Sequence, residues 1–125
     1  MRVIIAGSRD FNNYEYLRDK VDEYLKSNPS NTLEIISGTA RGADTLGSIY
    51  AEEHNIHLTE MPAQWEMYGR SAGIIRNNEM INYASASREK GVLIAFWDGK
   101  SRGTEHTIRE ARKQGLEVKV YEVWA

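Results

Sequence analysis

The chain has 125 residues, of which 41% are hydrophobic and 27% are charged, with a formal net charge of -2 and no cysteine. This length suits one domain with its own hydrophobic core, so we expect a single domain over residues 1–125. The slightly acidic balance excludes the overall basic character of many nucleic-acid-binding domains, and the lack of cysteine excludes disulfides, thiol catalysis and cysteine-based zinc sites.

Five short segments have the composition of β-strands. The first contains a continuous apolar run, Val3–Ala6, which is typical of a central parallel strand covered on both faces. The third ends at Pro62, which disfavours a regular continuation. In chain order, the predicted strands are Arg2–Ala6, Leu33–Ile36, Ile56–Met61, Val92–Trp97 and Glu117–Val123.

Stripes of apolar residues at helical spacing separate these strands. The first stripe ends at the polar segment Ser27–Asn31, and the last ends at Gly115, a residue suited to a helix C-terminus. Residues 63–72 fit neither the pattern of a strand nor the spacing of a helix. The predicted helices lie at residues 14–25, 43–54, 73–84 and 104–114. This alternation predicts an α/β domain with a doubly wound, mainly parallel five-stranded sheet and helices on both faces.

Small and charged residues follow the first, second and fourth predicted strands, where each strand leads into a helix. The three turns are Gly7–Asp10, Ser37–Asp44 and Asp98–Glu105. In a parallel sheet these turns lie at one edge, where helix N-termini offer free N–H groups and the positive end of a dipole. Open α/β sheets bind phosphorylated ligands at that edge, so the sequence predicts a site for a nucleotide-like ligand.

The first turn contains Gly7, Ser8 and Arg9 but lacks the further glycines of a dinucleotide-binding fingerprint. Gly7 allows the chain to leave the strand sharply, the Ser8 hydroxyl can bond to a phosphate oxygen, and Arg9 can pair with one in a bidentate manner. An ordinary strand-to-helix turn with a surface arginine explains the same residues. For this turn alone we favour that interpretation.

The second turn is more specific, because its two glycines and small residues let a ligand approach the backbone closely. No Gly-Lys-Ser/Thr follows at P-loop spacing, which argues against a magnesium–nucleoside triphosphate hydrolase. Asp44 can bind a ribose hydroxyl or can simply favour the start of its helix, and the sequence does not separate these roles. The candidate ligand-binding residues of this turn are Ser37, Gly38, Thr39, Arg41, Gly42 and Asp44.

Polar residues interrupt the otherwise apolar stripe of the third predicted helix at Arg76 and Asn77. A surface ion pair between Arg76 and Glu79, three residues apart, is the ordinary explanation for the arginine. Such a pair does not explain the asparagines that follow, whereas a helix that presents Arg76 into a cleft does. We therefore expect Arg76 and Asn77 to contact the ligand.

The third turn combines hydroxyls and cations with the start of a predicted helix, which makes it a good anion site. Its candidate ligand-binding residues are Ser101, Arg102, Gly103 and Thr104. Glu105 can act as a general base, contact a ribose, or favour the helix start as an acid in the first turn. The last of these roles is the most frequent for a glutamate at this position.

No metal and no cofactor are expected. The histidines are His54, His57 and His106, and their positions show no metal-ligand spacing. The chain also lacks a Ser-His-Asp order and a nucleophile elbow, so the sequence gives no sign of a serine hydrolase.

Four motifs in this order resemble the SLOG superfamily, and most closely its small stand-alone YspA-like branch. They are Ala6–Phe11, Ser37–Asp44, Arg76–Met80 and Trp97–Thr104, and together they span nearly the whole chain. The resemblance implies a Rossmann-like fold. It also implies binding of a nucleotide or nucleotide-derived ligand at the sheet edge described above, by a sensor or by a nucleotide-processing enzyme.

One related branch, the lonely-guy phosphoribohydrolases, implies cleavage of the N-glycosidic bond of a nucleoside monophosphate. The first motif of that branch is Arg-Lys-x-x-Met. Arg76 and Met80 match it, with Asn77 in place of the lysine. On this resemblance Arg76 is a catalytic residue that steadies the phosphoribosyl group.

The second motif of that branch is Pro-Gly-Gly-x-Gly-Thr-x-x-Glu. Gly103 and Thr104 match it, and Thr107 stands at the position of its catalytic glutamate. Glu105 lies two residues earlier, about 200° away around a helix. As the nearby carboxylate, Glu105 is the second candidate catalytic residue.

Another related branch, the DNA-processing A proteins, implies an alternative function as a module that binds single-stranded nucleic acid. Arg76 and Asn77 match its Arg-Asn-Arg segment, with Asn78 in place of the second arginine. Strong single-strand binding uses a basic groove and stacking aromatics, and the acidic balance of this chain argues against it.

A nucleotide-related small molecule is therefore the expected partner. A membrane is not, because the apolar runs are too short to cross a bilayer. A cytoplasmic location is predicted, since the chain has no cysteine and no signal-like opening. Relatives in the superfamily commonly self-associate, and Trp65, Tyr68 and Trp124 are predicted to lie either in a homo-oligomer interface, of a dimer or tetramer, or in the core.

Overall fold

A computed structural model describes residues 1–123 of the chain. Within this range five strands alternate with four long helices and one short helix. The strands are β1 (Arg2–Gly7), β2 (Glu34–Ser37), β3 (His57–Glu60), β4 (Gly91–Trp97) and β5 (Glu117–Glu122). The helices are α1 (Tyr14–Ser27), α2 (Ala43–Glu53), α3 (Trp65–Tyr68), α4 (Ala72–Ser85) and α5 (Arg102–Lys113), with a 3-10 turn at Gly69–Ser71. Across residues 1–123 every helix is too short or too polar to cross a membrane.

The strands form one parallel sheet in the order β3-β2-β1-β4-β5. β1 lies at the centre, and its residue Arg2 is opposite both Glu34 of β2 and Gly91 of β4. β2 and β3 are added in turn on one side of β1, and β4 and β5 are then added on the other side. This reversal of strand order creates a topological switch point between β1 and β4. The predicted doubly wound, Rossmann-like α/β fold is confirmed, and the sheet is parallel throughout.

Hydrophobic side chains on the two faces of the sheet form two cores. β1 contributes to both, because successive side chains of a strand point to opposite faces. Val3 and Ile5 pack with residues of α1 and α2, whereas Ile4 and Ala6 pack with residues of α4 and α5. Each fully buried valine or isoleucine stabilises the fold by about 1.5–3 kcal/mol. This two-sided burial fixes the position of the turn that follows β1.

Helix α5 begins two residues earlier than the sequence predicts. Ser101 caps it, and the Ser101 hydroxyl oxygen accepts a hydrogen bond from the Thr104 amide at 3.4 Å. A serine at this position satisfies one of the amides that a helix start leaves without an intrahelical partner. The first turn of α5 therefore starts directly after the carboxyl end of β4.

Residues 63–72, which fit neither period, contain the short helix α3 and the 3-10 turn that lead into α4. No residue of α3 is buried. Trp65 and Tyr68 are 52% and 42% exposed, so both side chains lie on the surface and not in the core. Trp124, the third aromatic considered for an interface, lies outside the described residues.

Candidate functional site

Two adjoining cavities lie at the carboxyl ends of β1, β2 and β4, where the predicted turns meet. Their volumes are about 540 and 460 Å³, within the range of roughly 300–1,000 Å³ that is usual for small-molecule sites. We treat them as one cleft and call the larger part the α3 half, because Trp65 lines it, and the smaller part the α5 half, because Thr104 lines it. The residues that line both halves are Arg9, Ala40, Arg41 and Arg76.

Arg76 of α4 lies between the two halves of the cleft. Its Nη1 donates a hydrogen bond to the carbonyl oxygen of Gly38, and its Nε donates to Asn77 Oδ1 at 2.8 Å. The residue is only 8% exposed; burial lowers the pKa of its guanidinium, and the nearby Asp44 opposes that effect. Glu79 is exposed to solvent. The guanidinium is therefore directed to the loop after β2 and not to a surface ion pair.

Asp44, in the first turn of α2, is the buried carboxyl group that attracts the guanidinium of Arg76. Its Oδ2 accepts a hydrogen bond from the Ala40 amide at 3.2 Å, and its carbonyl oxygen accepts one from Ser37 Oγ at 2.9 Å. The residue lines the α5 half but is only 5% exposed. Burial raises the pKa of Asp44 to about 6, against the attraction of Arg76. Asp44 thus holds its loop together and presents to the cleft a carboxyl group whose pKa is raised to about 6.

Close packing requires two glycines in the loop after β2. A Cβ on Gly38 would lie 2.6 Å from Arg76 Nη1 and 2.7 Å from Asp44 Oδ2, so the absence of a side chain lets these groups flank its backbone. Gly42 has a φ of 83°, and a Cβ there would lie 2.6 Å from the carbonyl oxygen of Arg9. Gly38 lines the α3 half of the cleft, whereas Gly42 joins the turns after β1 and β2.

The hydroxyls of Ser8 and Ser37 are bonded within the protein. Ser8 is 2% exposed, and its Oγ accepts a hydrogen bond from the Asp98 amide at 2.9 Å, which ties the turn after β1 to the turn after β4. Ser37 is also buried, and its Oγ accepts a hydrogen bond from the Thr39 amide at 3.2 Å. Both serines therefore position the turns from behind the cleft, and Gly7 lines the α5 half beside them.

Asp98 organises the turn after β4. Its Oδ1 accepts hydrogen bonds from the amides of Ser101 and Lys100, both at 2.8 Å, and these bonds lower the pKa of the Asp98 carboxyl group. The turn brings Ser101, Gly103 and Thr104 to the α5 half of the cleft. Three of the four residues predicted for this turn are therefore gathered at the same place as Arg76 and Asp44.

Arg102 and Glu105 are directed away from the cleft, and neither is among its lining residues. Both are exposed, and the Glu105 carboxylate lies 3.7 Å from Arg109 Nη1, one turn further along α5. Thr107 lines the cleft instead, and its hydroxyl donates a hydrogen bond to the Gly103 carbonyl oxygen at 2.9 Å. This placement gives Glu105 the position of an acid that favours the helix start.

Three further arginines line the cleft with exposed side chains: Arg9, Arg41 and Arg70. Arg41 Nη2 lies 3.4 Å from Asp10 Oδ1, whereas Arg9 and Arg70 border the open space. Arg70 was not predicted as a site residue, because it lies in the segment that fits neither period. Its position shortly before the Arg76 motif is the signal that could have found it.

The lining groups are typical of an anion site. The α5 half has four arginines against three aspartates in its lining, although the whole chain has a net charge of -2. Guanidinium groups bind phosphate in a bidentate manner, and the amides in the first turn of a helix add to that attraction. The cleft is thus suited chemically to a phosphorylated ligand.

Comparison with protein families matches residues 1–68 to the YspA, cpYpsA-related SLOG family. The chain is also 35% identical over 122 residues to the Gene 61 protein of Mycobacterium phage D29, an alignment that covers 94% of this chain and 93% of that protein. No solved structure matches the chain. The family match covers more than half of the chain and includes the turns after β1 and β2. The chain therefore belongs to the YspA, cpYpsA-related SLOG family, and this membership implies a module that binds a nucleotide-related ligand.

Proposed function

We propose that the cleft binds a nucleotide or nucleotide-derived ligand and that the ligand's phosphate lies on Arg76. The guanidinium of Arg76, buried yet bordering both halves of the cleft, carries this proposal. Within residues 1–123 two of its N–H groups donate to Gly38 and Asn77, which leaves the others of its five donors for a ligand. A buried cation is costly unless it is paired, and a phosphate supplies that pairing with bidentate hydrogen bonds.

The surroundings of Arg76 suit the rest of a nucleotide. The first turn of α5 offers the Gly103 amide and the hydroxyls of Ser101 and Thr104 to the phosphate oxygens. Arg9 adds a second positive charge at the surface of both halves. Thr39 in the α3 half and Asp44 in the α5 half offer a hydroxyl and a carboxyl group to the ribose.

The proposed ligand-binding domain extends over the whole chain, residues 1–125. The family match ends at residue 68, but β4 lies beyond it and pairs with β1 from Arg2 to Gly7. Arg76 and the first turn of α5 also lie beyond residue 68. Both parts of the chain therefore contribute to the cleft, and neither part contains all of it.

The same cleft serves either a sensor, which only binds the nucleotide, or a hydrolase, which cleaves the N-glycosidic bond. For hydrolysis, a carboxylate positions a water molecule while Arg76 holds the phosphoribosyl group. Glu105 lies on the outer surface of α5, paired with Arg109. We therefore assign the carboxylate to Asp44, whose pKa of about 6 suits a general base near neutral pH.

Calorimetric titration with AMP, GMP, CMP, UMP and ADP tests the binding proposal. We expect at least one to bind, and we expect Arg76→Ala to weaken that binding at least tenfold. Arg76→Lys keeps the charge but loses the planar guanidinium that binds phosphate in a bidentate manner. Its affinity should lie between those of the wild type and Arg76→Ala. Arg109→Ala removes a surface arginine outside the cleft and is the matched control. Thermal unfolding of each variant confirms that the compared proteins are folded.

Two results would overturn the proposal: an affinity that Arg76→Ala leaves unchanged, or no binding of any nucleotide. A third arm uses single-stranded DNA. Binding of an oligonucleotide that weakens steeply with salt, together with no binding of mononucleotides, supports the alternative of a nucleic-acid module and contradicts ours.

Release of a free base from the nucleotide that binds tests the reaction, and chromatography of the products detects it. We expect release by the wild-type protein and by Glu105→Gln, and its loss in Asp44→Asn. Binding without any base release would assign the cleft to a sensor. Loss of release in Glu105→Gln, with Asp44→Asn still active, would transfer the catalytic role to Glu105.

A further inference from the structure

Trp65, the first residue of α3, has a large exposed aromatic surface beside the cleft. Its side chain is 52% exposed, and it lines the α3 half together with Gly38, Thr39 and Arg76. Pro62 and Ala63 line the same half, which therefore combines an apolar surface around the indole with the positive charges of Arg9, Arg41 and Arg76. The α5 half, by contrast, contains three aspartates and the first turn of α5.

Most other aromatic side chains in residues 1–123 are held by partners within the protein. Four rings stack or meet edge-on in one cluster: Phe11, Tyr16, Phe96 and Tyr121. Four tyrosine hydroxyls donate to carboxylates: Tyr14, Tyr24, Tyr50 and Tyr83. Trp97 Nε1 donates to the Ser101 carbonyl oxygen at 3.0 Å. Trp65 and Tyr68 have neither kind of partner among the described residues, and only Trp65 lines the cleft.

The packing of Trp65 fixes its position relative to Arg76. The indole Cη2 lies 3.6 Å from the position that a Cβ on Gly73 would occupy, so the far edge of the ring lies beside the first turn of α4. Arg76 follows Gly73 by three residues, which is about 4.5 Å along the helix axis and on the same face. Trp65 thus lies beside Gly73, and Arg76 follows Gly73 by about one helical turn, so the indole and the guanidinium both border the α3 half, where a nucleotide could span them.

We propose that Trp65 is the surface on which the nucleobase stacks, with the base in the α3 half and the phosphate on Arg76. This inference rests on the proposed function, because it divides the same cleft into a base subsite and a phosphate subsite. Stacking is tolerant of base identity, since every base has an aromatic face. The ligand class is therefore a nucleotide that retains its base, in preference to a sugar phosphate alone.

The test compares AMP with ribose 5-phosphate, which lacks the base, by calorimetric titration. We expect Trp65→Ala to weaken AMP binding by about fivefold to a hundredfold, the range of measured base–aromatic stacking. Ribose 5-phosphate, which cannot stack, should bind Trp65→Ala and wild type alike. Trp65→Phe should restore much of the AMP affinity. Tyr68→Ala, on the same helix and similarly exposed but outside the cleft lining, should leave AMP binding unchanged.

Intrinsic fluorescence provides a second measurement, because a stacked base quenches an indole. We expect AMP to quench the fluorescence of the wild-type protein and expect Trp65→Phe to lose that quenching, while Trp97 and Trp124 remain in both proteins. Ribose 5-phosphate should quench neither.

The possible failures are distinguishable. Unchanged AMP affinity in Trp65→Ala, with weakened affinity in Arg76→Ala, overturns the base subsite and leaves the proposed function in place. No binding of AMP or any other nucleotide to the wild type overturns both. A change of oligomeric state in Trp65→Ala by analytical ultracentrifugation, with AMP affinity unchanged, places Trp65 in an interface between copies and also overturns the base subsite.

Discussion

Arg76 Nη1 donates a hydrogen bond to the carbonyl oxygen of Gly38, and this bond joins α4 to the loop after β2 at the floor of the cleft. The arginine can approach because Gly38 has no side chain: a Cβ would lie 2.6 Å from Nη1. The position of the positive charge is therefore set by the loop and does not depend on a ligand. Such preorganisation lowers the entropic cost of binding an anion.

Gly38→Ala should weaken nucleotide binding about tenfold with only a small loss of stability. The nearest neighbours of the added methyl group are the ends of two side chains, Arg76 Nη1 at 2.6 Å and Asp44 Oδ2 at 2.7 Å, so these ends shift while the backbone stays in place. A tenfold loss corresponds to about 1.4 kcal/mol of binding free energy. Calorimetric titration and thermal unfolding of the same sample measure the two effects. Full affinity in a folded Gly38→Ala protein would contradict the role given to this contact.

Gly42→Ala should destabilise the fold by about 2 kcal/mol or more. Gly42 has a φ of 83°, where a side chain is strained, and the new methyl group would meet the backbone carbonyl of Arg9, which cannot move independently. Gly103→Ala is the matched control, because Gly103 lies within α5 with open space around it. We expect that control to be neutral or slightly stabilising. Urea unfolding of both variants separates the two outcomes.

Asp44→Asn should change how stability depends on pH. The pKa of Asp44 is raised from 3.8 to about 6, so the folded protein binds a proton more tightly than the unfolded chain between these values. Wild-type stability should therefore fall relative to Asp44→Asn as the pH rises from 4 to 7, by about 2–3 kcal/mol for a shift of roughly two units. Urea unfolding of both proteins at several pH values measures the difference, and a constant difference would contradict the prediction.

Glu34→Gln provides a control in which the pH dependence of stability has the opposite sign. Burial alone would raise the pKa of Glu34, but hydrogen bonds from Thr59 and Tyr83 and the charge of Arg2 lower it below 4.5 overall. The stability that this carboxylate contributes is present above pH 4.5 and is lost as the pH falls through the lowered value. Glu34→Gln should therefore be less stable than wild type at pH 7, and the difference should close on acidification.

Thr39→Asn should stabilise the protein while it changes ligand affinity. Thr39 has a φ of 63°, a conformation that is unfavourable for a β-branched residue and that asparagine tolerates better. We expect a gain of about 0.5–1 kcal/mol in the free energy of unfolding. Thr39 lines the α3 half, so loss of its hydroxyl should reduce nucleotide affinity. Lower stability in Thr39→Asn would show that the native loop depends on the threonine side chain.

The fold could be predicted because the apolar pattern changes period at each element. The run from Val3 to Ala6 requires cover on both faces, and only a central strand of a layered α/β sheet receives it. Parallel strands place their carboxyl ends at one edge, and the three predicted turns do meet there. For this reason the location of the cleft followed from the predicted parallel strands and the turns that follow them.

The side chains that face the cleft were harder to predict. Hydroxyl groups at Ser8 and Ser37 satisfy backbone groups of neighbouring turns, and a sequence does not show where those turns come together. Glu105 faces outward because Thr104, Thr107 and Ile108 occupy the buried side of α5. The outward direction of Glu105 could have been predicted from helical spacing, because Glu105 does not lie on the helix face that those three residues share.

Arg70 and Trp65 were missed as site residues for a different reason. Their segment has no buried residue in α3 and therefore no apolar period by which its path could be inferred. Pro62 precedes this segment, and the indole lies close to Gly73 of α4, a tertiary relationship that the sequence does not show.

The central place of β1 in the finished sheet has a consequence for synthesis of the chain on the ribosome. β1 and β2 emerge early, but the second neighbour of β1 is β4, which ends at Trp97. Until β4 emerges, β1 is an edge strand with four consecutive apolar residues, Val3–Ala6, and such edges pair with other chains. A nascent or truncated chain that stops before residue 91 therefore exposes this apolar edge, and we expect it to aggregate more readily than the 125-residue chain.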